Sequence, residues 1–202
     1  MRRIEKVKFV FSWLMRILLL VAIVIAIVKA DWINLALASI TLFFTFLPSI
    51  IEREIKIDYP SEFEILILFF LFASLYFGEI QSFYVIFWWW DLFLHFLSGI
   101  IIGIIGFSLV RLLHAEKTVH LEMSPVFTVI FSFCFAVTIG VLWEVFEFLM
   151  DSVFGLNMMK SGLVDTMWDI IVDACGALII STVGYFYIKK ENFKYSRIVK
   201  FK

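Results

Sequence analysis

Asp91 and His95 stand four residues apart in "WWWDLFLHF", a stretch that is otherwise apolar and aromatic. Further along, "WEVFEFLMD" carries Glu144, Glu147 and Asp151, and "DTMWDIIVDACGA" carries Asp165, Asp169 and Asp173. These residues offer carboxylate oxygens, one imidazole and groups able to take up or release a proton. At about 100° per residue, Asp91 and His95 lie about 40° apart on one helix face. By the same rule Glu144, Glu147 and Asp151 fall within about 60°, and Asp165, Asp169 and Asp173 within about 80°. Each segment therefore presents one acidic stripe on a surface of Leu, Ile, Val, Phe and Trp.

Carboxylates gathered in an apolar medium cannot all be ionised without compensation. Lys160 is the only basic residue between Asp151 and Asp165. Three compensations are open: some acids hold protons, some meet water, or divalent cations neutralise them. An oxygen-rich donor set with one imidazole suits Mg, Mn, Ca or Fe, singly or in a two-metal arrangement, and suits Zn less well. The Asp-x-x-x-His, Glu-x-x-Glu and Asp-x-x-x-Asp pairs are like those of carboxylate-bridged helix bundles, where two histidines are the norm; one histidine makes the likeness to di-iron sites weak. The expected metal ligands are Asp91, His95, Glu144, Glu147, Asp151, Asp165, Asp169 and Asp173, with His95, Glu144 and Glu147 in catalytic roles. Asp91 and Asp165 equally suit helix N-caps, and Asp151 a solvated helix end. His95, Glu144, Glu147, Asp169 and Asp173 sit one to two turns inside apolar runs, where ionisable residues are rare and mostly functional.

The elements that must position these residues are membrane spans. Hydrophobic residues make up 63% of the 202-residue chain and charged ones 17%, with a mean hydropathy of +1.01. A soluble domain of this size has too little interior to hide that much apolar surface. Spanning the hydrocarbon core takes about 20 apolar residues, and six stretches qualify: roughly 9–28, 32–51, 63–78, 91–113, 125–150 and 166–188. The expected fold is all-α, a polytopic bundle forming a single integral-membrane domain over residues 1–202. The first apolar run lacks a small-residue cleavage pattern and reads as a retained span. With six spans, fourteen Lys and Arg fall on one face and only Lys29 and Lys160 on the other; Arg16, inside the first span, would snorkel or pair. The positive-inside rule then places both termini in the cytoplasm and every acid named above at the extracytoplasmic ends of the last three spans.

Other features position rather than react. Gly99, Gly103 and Gly106 in "SGIIIGIIG" predict close helix packing, as do Gly140 and Gly176. Cys134 and Cys175 fall in apolar stretches and read as buried free thiols. His114 and His120 read as surface residues of a cytoplasmic connection. The segment 79–90 reads as interfacial or re-entrant, and Glu79 in it either joins the acids or marks the interface. The linker 52–64 reads as a charged, partly amphipathic surface segment.

Three motifs together resemble a known family. "DYPSEFEILILFFLFASLYFGEIQSFYVIFWWWDLFLHFLSGIIIGIIGF" (58–107), "WEVFEF" (143–148) and "DTMWDIIVDACGA" (165–177) are similar to the YjdF-like family of small polytopic prokaryotic membrane proteins. The resemblance covers roughly residues 40–190. It implies a multi-pass inner-membrane protein and matches Asp91, His95, Glu144, Glu147, Asp165, Asp169 and Asp173 to the motif positions. The family is a domain of unknown function, so it implies no reaction.

The residues favour a metal-dependent membrane enzyme, a hydrolase acting on a lipid or lipid-linked substrate. The alternatives are a divalent-cation or proton-coupled transporter, and a non-catalytic scaffold holding structural calcium. Transporter sites usually lie near the bilayer midplane between inverted repeats, and this sequence has no convincing repeat. The basic tail suits orientation and headgroup contact, and nucleic acid is not an expected partner.

Overall fold

The computed structural model describes residues 3–55, 57–58, 60–115, 124–160, 162–191 and 200–201; Lys117 and His120 lie outside them, as does the side chain of His114. Among the described residues, six helices are long and apolar enough to cross a membrane: Arg3–Val28, Trp32–Glu52, Ser61–Ile80, Trp90–Leu113, Pro125–Phe154 and Leu163–Lys189. They coincide with the six expected spans and extend several of them by a turn. Contacts divide the chain into two compact units, residues 1–90 with 197–202, and residues 91–196.

In the first unit, α1 (Arg3–Val28) is followed by α2 (Trp32–Phe44), whose N-cap Asp31 accepts from the Asn34 N–H. The second span is broken where α2 ends at Thr45 and α3 (Leu47–Ile55) begins. Pro48 accounts for the break: it has no N–H to offer the carbonyl four residues back and disfavours helical geometry just before it. Arg16 of α1 fills the gap, donating through Nη2 to the Thr45 carbonyl at 3.1 Å and through Nε to its hydroxyl at 3.2 Å. The half-buried arginine is thus paired, capping a carbonyl that the break sets free.

After Pro60, α4 (Ser61–Leu71) runs into π-helical turns over Phe72–Ile80. Met15 and Leu19 of α1 pack with Leu68 and Phe72 as the core of this unit. The segment 79–90 resolves into a turn with Ser82 at φ 59°, a single helical turn α5 (Phe83–Ile86), and an aromatic stack in which the Phe83 ring lies 5.1 Å from Phe77 and 5.0 Å from Trp90. The short strands Ile57–Asp58 and Lys200–Phe201 pair antiparallel.

The second unit is three long helices, α6 (Trp90–Ala115), α7 (Pro125–Phe154) and α8 (Leu163–Glu191). Ser124 caps α7, accepting from the Phe127 N–H, and Gly155 ends it at φ 67°. Large apolar side chains such as Leu142, Phe148, Leu178, Val183 and Phe186 point outward, while Ser108, Thr128, Ser132, Ser181 and the acids point in. This is the polarity of a bundle solvated by lipid. The cysteines depart from expectation: Cys134 and Cys175 are free but exposed, because each sits on the outward face of its helix. An apolar neighbourhood in a membrane protein is as often lipid-facing as buried.

Candidate functional site

Close helix packing comes first, because it sets which carboxylates can meet. A β-carbon added at Gly99 would collide with the backbone carbonyl of Asp173, and one added at Gly176 with the carbonyl of Phe96. The backbones of α6 and α8 therefore touch, as the small-residue spacing predicts. On α7, a β-carbon at Gly140 would come within 2.6 Å of Asp173 Oδ2, so the missing side chain leaves room for that carboxylate. Ser132 of α7 donates to the Gly103 carbonyl of α6 at 2.5 Å.

These contacts bring the N-terminal ends of α6 and α8 together with the C-terminal end of α7. At 1.5 Å per residue, His95 lies about 8 Å from the start of α6, Glu144 about 15 Å from the end of α7, and Asp169 and Asp173 about 9 and 15 Å from the start of α8. All four are buried: His95 is 7% exposed, Glu144 4%, Asp169 1% and Asp173 2%. The two helix N-termini turn positive dipole ends toward this region, which favours anions there.

His95 is the hub. Its Nδ1 lies 3.0 Å from Asp173 Oδ2. The other oxygen of Asp173 stands within short hydrogen-bond reach of the Ser98 hydroxyl, whose single proton it shares with the His95 carbonyl at 2.8 Å. With Nδ1 bound to a carboxylate, Nε2 is the nitrogen presented to the interior. It faces Glu144 Oε1 at 3.6 Å and Asp91 Oδ1 at 3.9 Å. Donor atoms of His95, Glu144 and Asp169 all lie within 4.8 Å of one another, and so do those of Asp91, Asp165 and Asp169. Asp169 belongs to both groups. Neither oxygen of Glu144 has a hydrogen-bond partner among the described residues, nor has Asp169 Oδ1. A buried ionised carboxylate with no partner is strongly disfavoured, so this pocket calls for a positive species.

The remaining acids differ in what they touch. Asp173 is the orienting partner of His95. Glu147 is 8% exposed and accepts from the Trp143 indole at 2.9 Å; it enters neither donor group. Asp151 accepts from the backbone N–H groups of Met158 and Met159 at 2.7 and 2.9 Å, anchoring the connection to α8. Asp91 meets Lys160 Nζ at 2.5 Å, so the shallower group already has a cation at its edge. Asp165 is half-buried and stands with Asp91 and Asp169.

Sequence reasoning passed over Ser98 and read Gly140 only as packing. Ser98 stands three residues after His95, on the same face one turn deeper. Gly140 stands four before Glu144, on its face. Their spacing was the available signal.

A family model described as "Predicted membrane protein (DUF2238)" matches residues 11–190. A protein of Thermotoga maritima, described as uncharacterized, is 26% identical over 140 residues, which cover 69% of this chain and 70% of that protein. No solved structure matches the chain. With nearly its whole length matched and six helices fit to cross a bilayer, the chain is a multi-pass membrane protein and belongs to the DUF2238 family of predicted membrane proteins.

Proposed function

We propose that the protein is a metal-dependent membrane enzyme, its centre holding a divalent cation among His95, Glu144 and Asp169 and acting on the anionic group of a lipid or lipid-linked substrate. The observation that carries this reading is the set of unpartnered, buried oxygens on Glu144 and Asp169 beside a histidine whose second nitrogen is tied to a carboxylate, the outer support that metal-bound histidines commonly have. Hard divalent ions of the Mg, Mn, Fe or Ca type suit this oxygen-rich set, and Zn suits it less well.

A second ion would be held by Asp91, Asp165 and Asp169, which form the shallower donor group. Lys160 holds Asp91 at the edge of that group, so the deeper group fills first. When a second cation or an anionic substrate arrives, Lys160 can leave Asp91 for the substrate's oxygens. A bound divalent ion supplies an activated water and stabilises developing negative charge. Glu147, one turn from Glu144 and outside both donor groups, is placed to accept the proton. On the positive-inside rule the site opens to the extracytoplasmic leaflet of the inner membrane.

A cation carrier is the competing reading. A carrier needs a run of free polar groups beyond the centre, yet deeper in the bundle Thr128, Ser132 and Ser108 donate to backbone carbonyls. Of the inward hydroxyls of Ser108, Thr128, Ser132 and Ser181, the last alone lacks a partner among the described residues. That supports a dead-ended site over a pathway.

The test is elemental analysis of protein purified gently without chelator. Wild type should carry at least one divalent ion per chain, lost in Asp169→Ala and in Glu144→Ala. A metal-free wild type overturns the metal centre. Cation flux into proteoliposomes that Asp173→Asn abolishes overturns the enzyme in favour of the carrier.

A further inference from the structure

A second polar site lies in the first unit. A cavity of about 390 Å³ is lined by Glu5, Lys8, Ser12 and Arg16 of α1, Ser49 of α3 and Glu64 of α4, with Phe9, Trp13 and Leu68 completing it. Glu64 is 3% exposed and accepts from Lys8 at 2.7 Å. Two acids and two bases line the walls, so their formal charges cancel. A simple anion would gain from Lys8 and Arg16 but meet Glu5 and Glu64, and a simple cation the reverse. A zwitterion can satisfy both signs.

Order along the helix sharpens this. Glu5 is nearest the helix end, Lys8 follows, and Arg16 lies about 12 Å deeper than Lys8. A phospholipid with an ethanolamine headgroup carries its charges in the same order, ammonium outermost and phosphate next to the glycerol. Donors remain for it: Lys8 has three N–H bonds and gives one to Glu64, while Arg16 engages Thr45 through Nε and Nη2. Beyond Arg16, α1 exposes Ile17, Leu20, Val21 and Val24, an apolar track for acyl chains. Exposed Phe9 and Trp13 form the rim. We infer that this cavity binds the phosphoethanolamine headgroup of a membrane phospholipid, phosphate between Lys8 and Arg16 and ammonium toward Glu64 and Glu5.

The test is native mass spectrometry of the purified full chain from micelles holding equal parts phosphatidylethanolamine, phosphatidylglycerol and phosphatidylcholine. One phosphatidylethanolamine per chain should be retained, at least tenfold over either competitor. Arg16→Gln should lower retention at least tenfold. Because Arg16→Gln also uncaps α2, Ser49→Phe provides a second variant; it fills part of the cavity without removing a charged group and should lower retention equally. Millimolar O-phosphoethanolamine should not displace the lipid, since the acyl chains contribute to its hold. Equal retention of phosphatidylglycerol or phosphatidylcholine, retention by Ser49→Phe, displacement by the soluble headgroup, or no bound lipid at all each overturns the assignment.

Discussion

The two units solve the problem of buried charge in opposite ways. In residues 1–90, buried Glu64 has Lys8 at 2.7 Å and Arg16 has the carbonyl and hydroxyl of Thr45. In residues 91–196, Glu144 and Asp169 are as deeply buried, yet among the described residues neither Glu144 oxygen nor Asp169 Oδ1 has a hydrogen-bond partner, and Glu144 faces the His95 imidazole at 3.6 Å. Matched charges hold helices together, at most neutrally for stability. Where the match is incomplete, a proton, water or the proposed cation would have to complete it. A buried acid is thus informative chiefly through what stands opposite it.

This contrast can be broken in several ways. The largest effect is expected with metal. A divalent cation at a hundredfold excess over its dissociation constant should stabilise wild type by about 2.7 kcal/mol in thermal unfolding. Glu144→Gln should lose that response and, in chelator, should melt higher than wild type because an uncompensated charge has gone. Melting lower in chelator would mean that the chain itself already compensates Glu144. Glu64→Gln should do the opposite, lowering stability by about 2 kcal/mol with or without metal; the figure is below that for a fully buried pair because the Lys8 side chain is 28% exposed.

Smaller changes sharpen the contrast. Gly140→Ala places a methyl group 2.6 Å from Asp173 Oδ2 and displaces the carboxylate that orients His95. Metal affinity by titration should fall by about tenfold or more, the usual cost of losing such a partner. Ser98→Ala removes one hydrogen bond from Asp173 and should cost about 1 kcal/mol. Its effect on metal binding should be smaller than that of Gly140→Ala, and a larger one would make Ser98 a direct ligand.

The smallest effect belongs to Asp31, outside the spans. The backbone N–H and side-chain amide of Asn34 hold its carboxyl below the usual carboxylate range. Its contribution is therefore present at neutral pH and fades only as pH falls through the depressed value. Asp31→Asn keeps the cap but lacks the ionised carboxylate, so it should melt slightly below wild type at neutral pH, and the two curves should converge as pH falls through the depressed value.

The spans were legible from hydropathy alone, because lipid imposes length and apolarity on each helix separately. The break at Thr45 was less so. Pro48 is visible in the sequence, but that Arg16 would cap the gap depends on which helices become neighbours. The acidic stripes were also legible, since a face follows from spacing. Which acids converge was not, because an angle fixes the side of a helix and leaves depth and partners open. Asp151 shares the face of Glu144 yet sits two turns nearer the helix end, where loop N–H groups claim it. Asp173 shares the face of Asp169 yet lies one turn deeper, where the imidazole claims it. The exposed thiols failed for a related reason: apolar surroundings in a membrane do not distinguish the inward face of a helix from the outward one.

The close approach of α6 and α8 at Gly99 and Gly176 has one more consequence. Suppose α8 slipped along α6 by one turn during assembly. Val172 or Ile180 would then arrive where Gly176 sits, and a branched side chain would strike the Phe96 carbonyl. Such a mispaired bundle is excluded sterically, before any electrostatic preference is consulted. The meeting of His95 with Asp173 is thus proofread by two absent methyl groups, a ratchet with a single allowed notch.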